Sequence, residues 1–168
     1  TVALVGYTNA GKSSLLRALT KKEAYIRDEL FSTLDTSIGT LFIPDERHPG
    51  CGQKILIADT IGFLQNLPPH LIESFQATLS EVQEADLILH IIDSSDPHQE
   101  LKIKVVEGIL SNMIDKNIPV IRIFNKSDLQ RFCFWHQKGG ITVSAAQKSN
   151  FAELMKRISS TLFSIAKN

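Results

Sequence analysis

Apolar residues fall along this chain in two alternating rhythms. Short, nearly unbroken apolar runs predict strands buried on both faces; longer stretches with an apolar residue every three or four positions predict amphipathic helices. Their alternation predicts an α/β fold on a mostly parallel sheet. Val2 to Val5 is the first strand, and a helix carrying Leu15, Leu16 and Leu19 follows a glycine-containing loop. Thr20 to Ser37 is polar and poorly periodic and reads as a mobile loop. Strands are predicted at Thr40 to Ile43 and Lys54 to Ala58, joined by a Pro- and Gly-containing connection. Pro68-Pro69 opens a helix over His70 to Glu84 with Leu71, Ile72, Phe75, Leu79 and Val82 at helical spacing. Leu87 to Ile92 is a buried strand interrupted by His90, read as a satisfied core histidine rather than a ligand. A helix over Gln99 to Lys116, strands at Val120 to Phe124 and Ile141 to Val143, and a last helix from Asn150 complete the pattern. That last helix places Phe151, Leu154, Met155, Ile158, Leu162 and Ile165 on one stripe.

The 168 residues suffice for one domain, 1–168, and 43% apolar residues suffice for its core. Because the first residues already form a strand, the expectation is a domain taken from a longer protein. Eighteen basic residues balance eighteen acidic ones, so no global field draws the chain to nucleic acid or a membrane surface. No apolar run approaches the ~18 residues of a membrane span. The expectation is a monomer with no DNA partner and no stable membrane insertion. Cys51 and Cys133 fit neither a metal spacing nor a disulfide framework, and read as thiols of a reducing compartment such as the cytoplasm.

The chemistry lies at the ends of the predicted strands. Gly6-Tyr7-Thr8-Asn9-Ala10-Gly11-Lys12-Ser13 has the form G-x-x-x-x-G-K-S and sits between a strand and a helix, the context a P-loop requires. Its backbone N–H groups and the helix N-terminus would cradle phosphates, with Ser14 completing the stretch. Lys12 would add a charge near the β and γ phosphates, and the Ser13 hydroxyl would ligate Mg²⁺. Asp59-Thr60-Ile61-Gly62 follows another apolar strand. A carboxylate there faces the ligand crevice, so Asp59 would hold Mg²⁺ through water, and the Gly62 N–H could approach the γ-phosphate. Alone, this tetrapeptide could be a simple turn.

Asn125-Lys126-Ser127-Asp128 follows the strand ending at Phe124. Guanine offers two adjacent donors, and the Asp128 carboxylate has two acceptors to meet them. Adenine offers no such pair and would leave that carboxylate desolvated and unpaired, a mismatch that can discriminate by roughly 10⁴ to 10⁵. The Lys126 stem would cover the base, and Asn125 would tie this loop to the P-loop. A helix cap at Ser127 or Asp128 is the plainer reading, compatible with both. After the last strand, a backbone N–H of Ser144-Ala145-Ala146 could meet the guanine oxygen. A nucleotide switch also needs a threonine in the loop after the P-loop to complete the Mg²⁺ shell. By order alone Thr33, Thr36 and Thr40 all qualify.

With these motifs in place, the chain resembles the HflX family of ribosome-associated P-loop GTPases. The likeness rests on Val5 to Ser13, on Leu30-Phe31-Ser32-Thr33-Leu34-Asp35, and on Asp59-Thr60-Ile61-Gly62-Phe63. It extends through Asn66-Leu67-Pro68, Glu73-Ser74-Phe75-Gln76-Ala77-Thr78-Leu79 and Ala85-Asp86-Leu87-Ile88-Leu89-His90. The resemblance implies a Ras-like three-layer sandwich of about six strands with helices on both faces. It also implies that Thr33 is the Mg²⁺-binding switch threonine, that Phe31 to Asp35 lie against the nucleotide, and that the large ribosomal subunit is the partner. Members are linked to splitting or rescuing stalled ribosomes and carry an N-terminal domain. Ser149 and Asn150 depart from the family, standing where relatives often have Gly-rich residues.

Two residues bear on turnover. Phe63 stands where many GTPases place a water-orienting Gln, and Phe cannot hydrogen-bond water. Either a partner completes the site and isolated hydrolysis is slow, or another side chain of the domain substitutes. Asn9 occupies the P-loop position that K⁺-using GTPases fill with Asn; the alternative is that Asn only tolerates the loop's backbone conformation. The rivals to a ribosome-associated GTPase are a P-loop ATPase or kinase, which Asp128 disfavours, and a module that binds nucleotide without turnover.

Overall fold

A computed structural model of the chain describes residues 1–20, 37–44, 52–59, 82–114, 117–129 and 139–165. Six strands form one sheet: β1 (Val2–Gly6), β2 (Ser37–Pro44), β3 (Gly52–Asp59), β4 (Leu87–Asp93), β5 (Val120–Asn125) and β6 (Gly140–Thr142). Their spatial order is β2-β3-β1-β4-β5-β6. Every pairing is parallel except β2 with β3. Among the described residues three helices flank them: α1 (Lys12–Thr20), α2 (Gln99–Met113) and α3 (Phe151–Ile165).

Alternation along the strands divides the core into two layers. Val2, Leu4, Leu87, Leu89, Ile91 and Ile123 face α1 and α3, where Leu15, Leu16, Leu19, Leu154 and Ile158 meet them. Ala3, Val5 and Ile88 face the other way, onto Val106 and Leu110 of α2. A strand buried on both faces must be apolar at every position, which is why β1 and β4 carry nearly unbroken runs. The antiparallel edge strand β2 instead alternates: Leu41 and Ile43 are buried while Ile38 and Phe42 are each 54% exposed. This is the three-layer architecture expected from the sequence, with six strands.

Boundaries moved where backbone pairing extends past the apolar signal. β2 begins at Ser37 because its polar start pairs with β3, with Ser37 opposite Asp59. The hairpin connection expected over Pro44 to Gln53 is shortened at both ends by the same ladder, which runs to Pro44 opposite Gly52. α2 stops at Met113 rather than Lys116, and β6 lies at 140–142, one residue earlier than expected. Most of the helix expected over His70 to Glu84 lies outside the described residues. None of the described helices is long and apolar enough to cross a membrane.

The parallel strands deliver their carboxyl ends to one edge of the sheet, where ligands bind in open α/β folds. The P-loop follows β1 there, Asp59 closes β3, Asn125 closes β5, and Ser144 follows β6.

His90 is a polar intrusion in the core, 1% exposed. Its Nδ1 has no hydrogen-bond partner among the described residues. It pairs with Val5 on one side and Arg122 on the other, and Arg122 is bound to Glu107 of α2 at 2.5 Å. Burial, with the Arg122 charge adding to it, lowers the His90 pKa to about 4. The unfolded chain then binds a proton that the folded chain refuses between about pH 6.5 and 4, so stability falls as pH drops through that window. His90→Leu removes this titration. Between pH 7 and 4 the wild type should lose about 3 kcal/mol more stability than His90→Leu. Urea midpoints of the two proteins at both pH values check this; parallel losses would show that His90 does not carry the dependence.

Candidate functional site

The first loop is shaped by close backbone approaches. Gly6 lies opposite Ile91 of β4, and a Cβ there would meet the Ile91 carbonyl oxygen at 2.3 Å. Gly11 has φ +90°, and a Cβ on it would fall 2.4 Å from the Asn125 amide nitrogen. Both glycines are therefore required by the fold, and Gly11 leaves the lane through which Asn125 crosses. Asn9 has φ +62°, a left-handed backbone that Asn tolerates. Between them, the Ala10 N–H bonds to the Tyr7 carbonyl at 3.2 Å and curls the loop. Thr8 lies in the same turn.

Lys12, 7% exposed, folds back over this loop and donates from Nζ to the carbonyls of Gly6 and Tyr7 at 3.3 and 3.4 Å. Burial pushes its pKa down, and Asp59 opposes that shift. An ammonium held, among the described residues, by carbonyl oxygens in a desolvated loop is prepared for a stronger acceptor such as a phosphate.

The Ser13 hydroxyl donates to Oδ2 of Asp59 at 2.5 Å, joining α1 to the end of β3. Oδ1 of Asp59 is buried without a hydrogen-bond partner among the described residues. Burial raises the Asp59 pKa, against the pull of Ser13, Lys12 and Arg17. A hydroxyl and a carboxylate in contact, with a second carboxylate oxygen unmet, form a hard oxygen donor set suited to Mg²⁺. Ser14, at the exposed start of α1, shows no comparable contact among the described residues.

The loop after β5 is fixed from several sides. Asn125, 1% exposed, donates from Nδ2 to the Ala10 carbonyl at 3.1 Å and accepts the Ala145 N–H on Oδ1 at 3.0 Å. One side chain therefore joins all three loops, fulfilling the tie to the P-loop read from the sequence. Lys126 has φ +62°, and the 3-10 turn Ser127–Leu129 follows. The Ser127 N–H bonds to the Val143 carbonyl at 3.2 Å. The Ser144 hydroxyl donates to Oδ1 of Asp128, and Ser144 is fully buried.

Sequence order placed the segment Ser144-Ala145-Ala146 for its backbone alone. Its larger contribution is the Ser144 side chain, which orients Asp128 and accepts the Gln147 N–H at 3.0 Å. The Ala145 N–H is committed to the Asn125 side chain. The departures at Ser149 and Asn150 leave this loop intact. Asn150 has φ +60° and Lys148 φ +53°, conformations that glycine would otherwise supply. Ser149 closes the loop through its N–H on the Ser144 carbonyl at 3.1 Å.

Of the three candidate threonines, Thr40 is placed by the structure on β2 opposite Leu56. It lies three residues beyond Ser37, about 10 Å along the strand from the Asp59 edge, too far to share an ion with Ser13. Thr33 and Thr36 lie outside the described residues, as do Phe31, Ser32, Leu34, Asp35, Thr60, Ile61, Gly62 and Phe63.

A family model described as "50S ribosome-binding GTPase" matches residues 1–126. Among curated proteins, the chain is 43% identical to GTPase HflX of Caldanaerobacter subterraneus subsp. tengcongensis over 96% of this chain and 36% of that protein. It is 40% identical to GTPase HflX of Alkalihalophilus pseudofirmus over 96% of this chain and 37% of that protein. The chain thus spans little more than a third of these relatives. In structure it resembles a GTP-binding protein from Sulfolobus solfataricus in complex with GDP, with TM-score 0.75 and 23% identity, covering 98% of this chain and 52% of that one. It also resembles an Aquifex aeolicus Era variant bound to GDP and AlF4⁻, with TM-score 0.72 and 26% identity, covering 94% and 55% of the two chains.

Ser144→Ala leaves Asp128 without its buried partner while leaving the backbone bonds of this loop in place. Affinity for a guanine nucleotide should fall about tenfold, with no comparable change in competition by inorganic triphosphate, which lacks a base. Calorimetric titration of both ligands checks the split.

Proposed function

The chain belongs to the 50S ribosome-binding GTPase family, and we propose that it binds GTP and hydrolyses it to GDP and phosphate as a conformational switch. We further propose that it works with the large ribosomal subunit, in splitting, rescue or biogenesis, as the G domain of a longer protein in the cytoplasm. The observation that carries the nucleotide reading is the placement of Asp128. Ser144 orients its carboxylate, and Asn125 spans from the same loop to the phosphate cradle at Ala10. Base acceptor and cradle are thereby set at a fixed separation.

In this reading the P-loop amides and Lys12 grip the β and γ phosphates. Ser13, Asp59 and Thr33 hold Mg²⁺, and the unmet Asp59 oxygen supports that assignment. The ion supplies positive charge to the phosphate oxygens. Gly62 offers its N–H to the γ-phosphate, and Thr33 and Gly62 together sense its presence. Asp128 meets the two guanine donors, the Lys126 stem lies along the base, and an N–H of the 144–146 segment meets the guanine oxygen. Phe63 cannot orient the attacking water, so a ribosomal partner completes the site and turnover of the isolated chain is slow. A K⁺ ion beside Asn9 would add charge at the phosphates, although the left-handed backbone at Asn9 already accounts for an Asn there.

Asp128→Asn tests the base reading. Its amide would donate to the 2-carbonyl of xanthine and accept from the ring N–H, but cannot accept both guanine donors. GTP affinity should fall by at least about a hundredfold while XTP affinity rises. Unchanged selectivity among GTP, XTP and ATP would remove the assignment. Steady-state turnover of the wild type should stay well below ~1 s⁻¹ alone, the range typical of complete enzymes, and rise with large ribosomal subunits. The same assay in KCl and NaCl tests Asn9, since equal rates eliminate the K⁺ role.

A further inference from the structure

The carboxyl end of β4 opens into a polar run, Asp93-Ser94-Ser95-Asp96, to which the reading above gives no task. Two of its residues grip the base-reading loop. Asp93 lies opposite Asn125 in the β4–β5 ladder. Its Oδ2 accepts from Lys126 Nζ at 2.7 Å. Its Oδ1 accepts the Ser95 N–H at 2.9 Å and the Ser95 hydroxyl at 2.6 Å. Both carboxylate oxygens are engaged, so the group cannot swing away from the lysine. Ser94, 3% exposed, donates its N–H and its hydroxyl to the Asn125 carbonyl at 2.9 and 2.7 Å. The start of the loop is therefore clamped to the same strand end that carries Asp93.

The Asp93–Lys126 pair is partly shielded, with side-chain exposures of 19% and 29%, unlike the screened surface pairs that contribute little. Burial raises the Asp93 pKa, but hydrogen bonds from Lys126 and Ser95 outweigh it and hold the carboxyl below its usual range. Lys126 itself is fixed at both ends: φ +62° sets its Cα, and Asp93 holds its ammonium. Between those points run four methylenes. A lysine stem that must lie against a purine loses rotamer freedom on binding, unless that freedom has already been removed.

We propose that Asp93 is a positioning residue for guanine-nucleotide binding, anchoring the Lys126 ammonium so that the methylene stem is already laid where the base docks. The inference rests on the GTP reading of the site. Asp93 touches no part of the nucleotide and acts through Lys126 alone. Because base contacts are common to GTP and GDP, its effect falls equally on both and spares the chemical step.

The test is a double-mutant cycle read by equilibrium binding of a fluorescent GDP derivative, with ADP competition measured first on the wild type. Asp93→Ala should weaken GDP binding about tenfold. Asp93→Asn, which keeps an acceptor for the ammonium, should recover part of that loss. In a Lys126→Met background, Asp93→Ala should have little further effect, leaving the double variant within about twofold of Lys126→Met. At saturating GTP, kcat of Asp93→Ala should stay within about twofold of wild type while KM rises. Wild-type affinity in Asp93→Ala, or losses that multiply in the double variant, would overturn the inference. If Asp93→Ala does not fold, the same cycle run with Asp93→Asn decides by the same criteria. A wild type that does not prefer GDP to ADP would overturn the functional reading and this inference together. A wild type that prefers GDP, with Asp93→Ala binding GDP as tightly as the wild type, overturns the inference alone.

Discussion

The two hydrogen bonds of one buried amide hold this site together. Asn125 ends β5, and its side-chain amide offers an NH2 group that donates and a carbonyl oxygen that accepts. It gives the donor to Ala10 in the phosphate cradle and the acceptor to Ala145 after β6. Buried polar groups are costly unless paired, so the three loops are compatible with the core only in one relative arrangement. Gly11 follows from this constraint, because any side chain there would occupy the path of the amide. The motif glycine most readily attributed to phosphate contact is thus equally a requirement of the neighbouring strand end. Gly6 has a similar origin in the close approach of Ile91.

The same economy governs the other strand ends. Three of the parallel strands end on a polar group after an apolar residue: Asp59 on β3, Asp93 on β4, Asn125 on β5. Each emerges from the low-dielectric interior where solvent is scarce but neighbouring loops can supply partners. Ser13 meets Asp59, Ser95 and Lys126 meet Asp93, and Ser144 meets Asp128 just beyond β5. Small hydroxyl residues recur because they donate over a short reach with little rotamer freedom to lose. Directions are therefore set before any ligand arrives, which is how such sites gain affinity without new contacts.

Much of this was legible in the sequence for identifiable physical reasons. Strands buried on both faces leave unbroken apolar runs, so β1, β4 and β5 were placed almost to the residue. The P-loop and Asn125 to Asp128 were readable because each depends on fixed local spacing next to a strand. The edge strand β2 was underestimated, because its polar start is held by pairing with β3 and carries no hydrophobic signal. Ser144 was noticed for its backbone, and Asp93 was passed over. Their roles arise from pairings across the sheet, Asp93 with Lys126 and Ser144 with Asp128, and no local pattern encodes a partner 33 or 16 residues away. A buried serine directly after an apolar strand was the available clue in both regions, at Ser94 and Ser144. Among the threonines, order could not separate three candidates, and strand register removed Thr40.

Asp59 stands apart from this pattern of satisfied ends. One oxygen is met by Ser13, while the other is buried without a partner among the described residues. Burial raises its pKa despite Lys12 and Arg17 nearby, so the ionised group is held at a cost. Replacing Asp59 with an apolar residue would relieve that cost, and its position beside the P-loop points to a ligand that repays it. A divalent cation held by Ser13 and Asp59 would satisfy the orphan oxygen and neutralise the buried charge. Such a ligand binds the folded state far better than the unfolded one, so nucleotide with its metal stabilises the domain by mass action. The stability of the domain and the occupancy of its site would then be linked at one carboxylate at the end of β3.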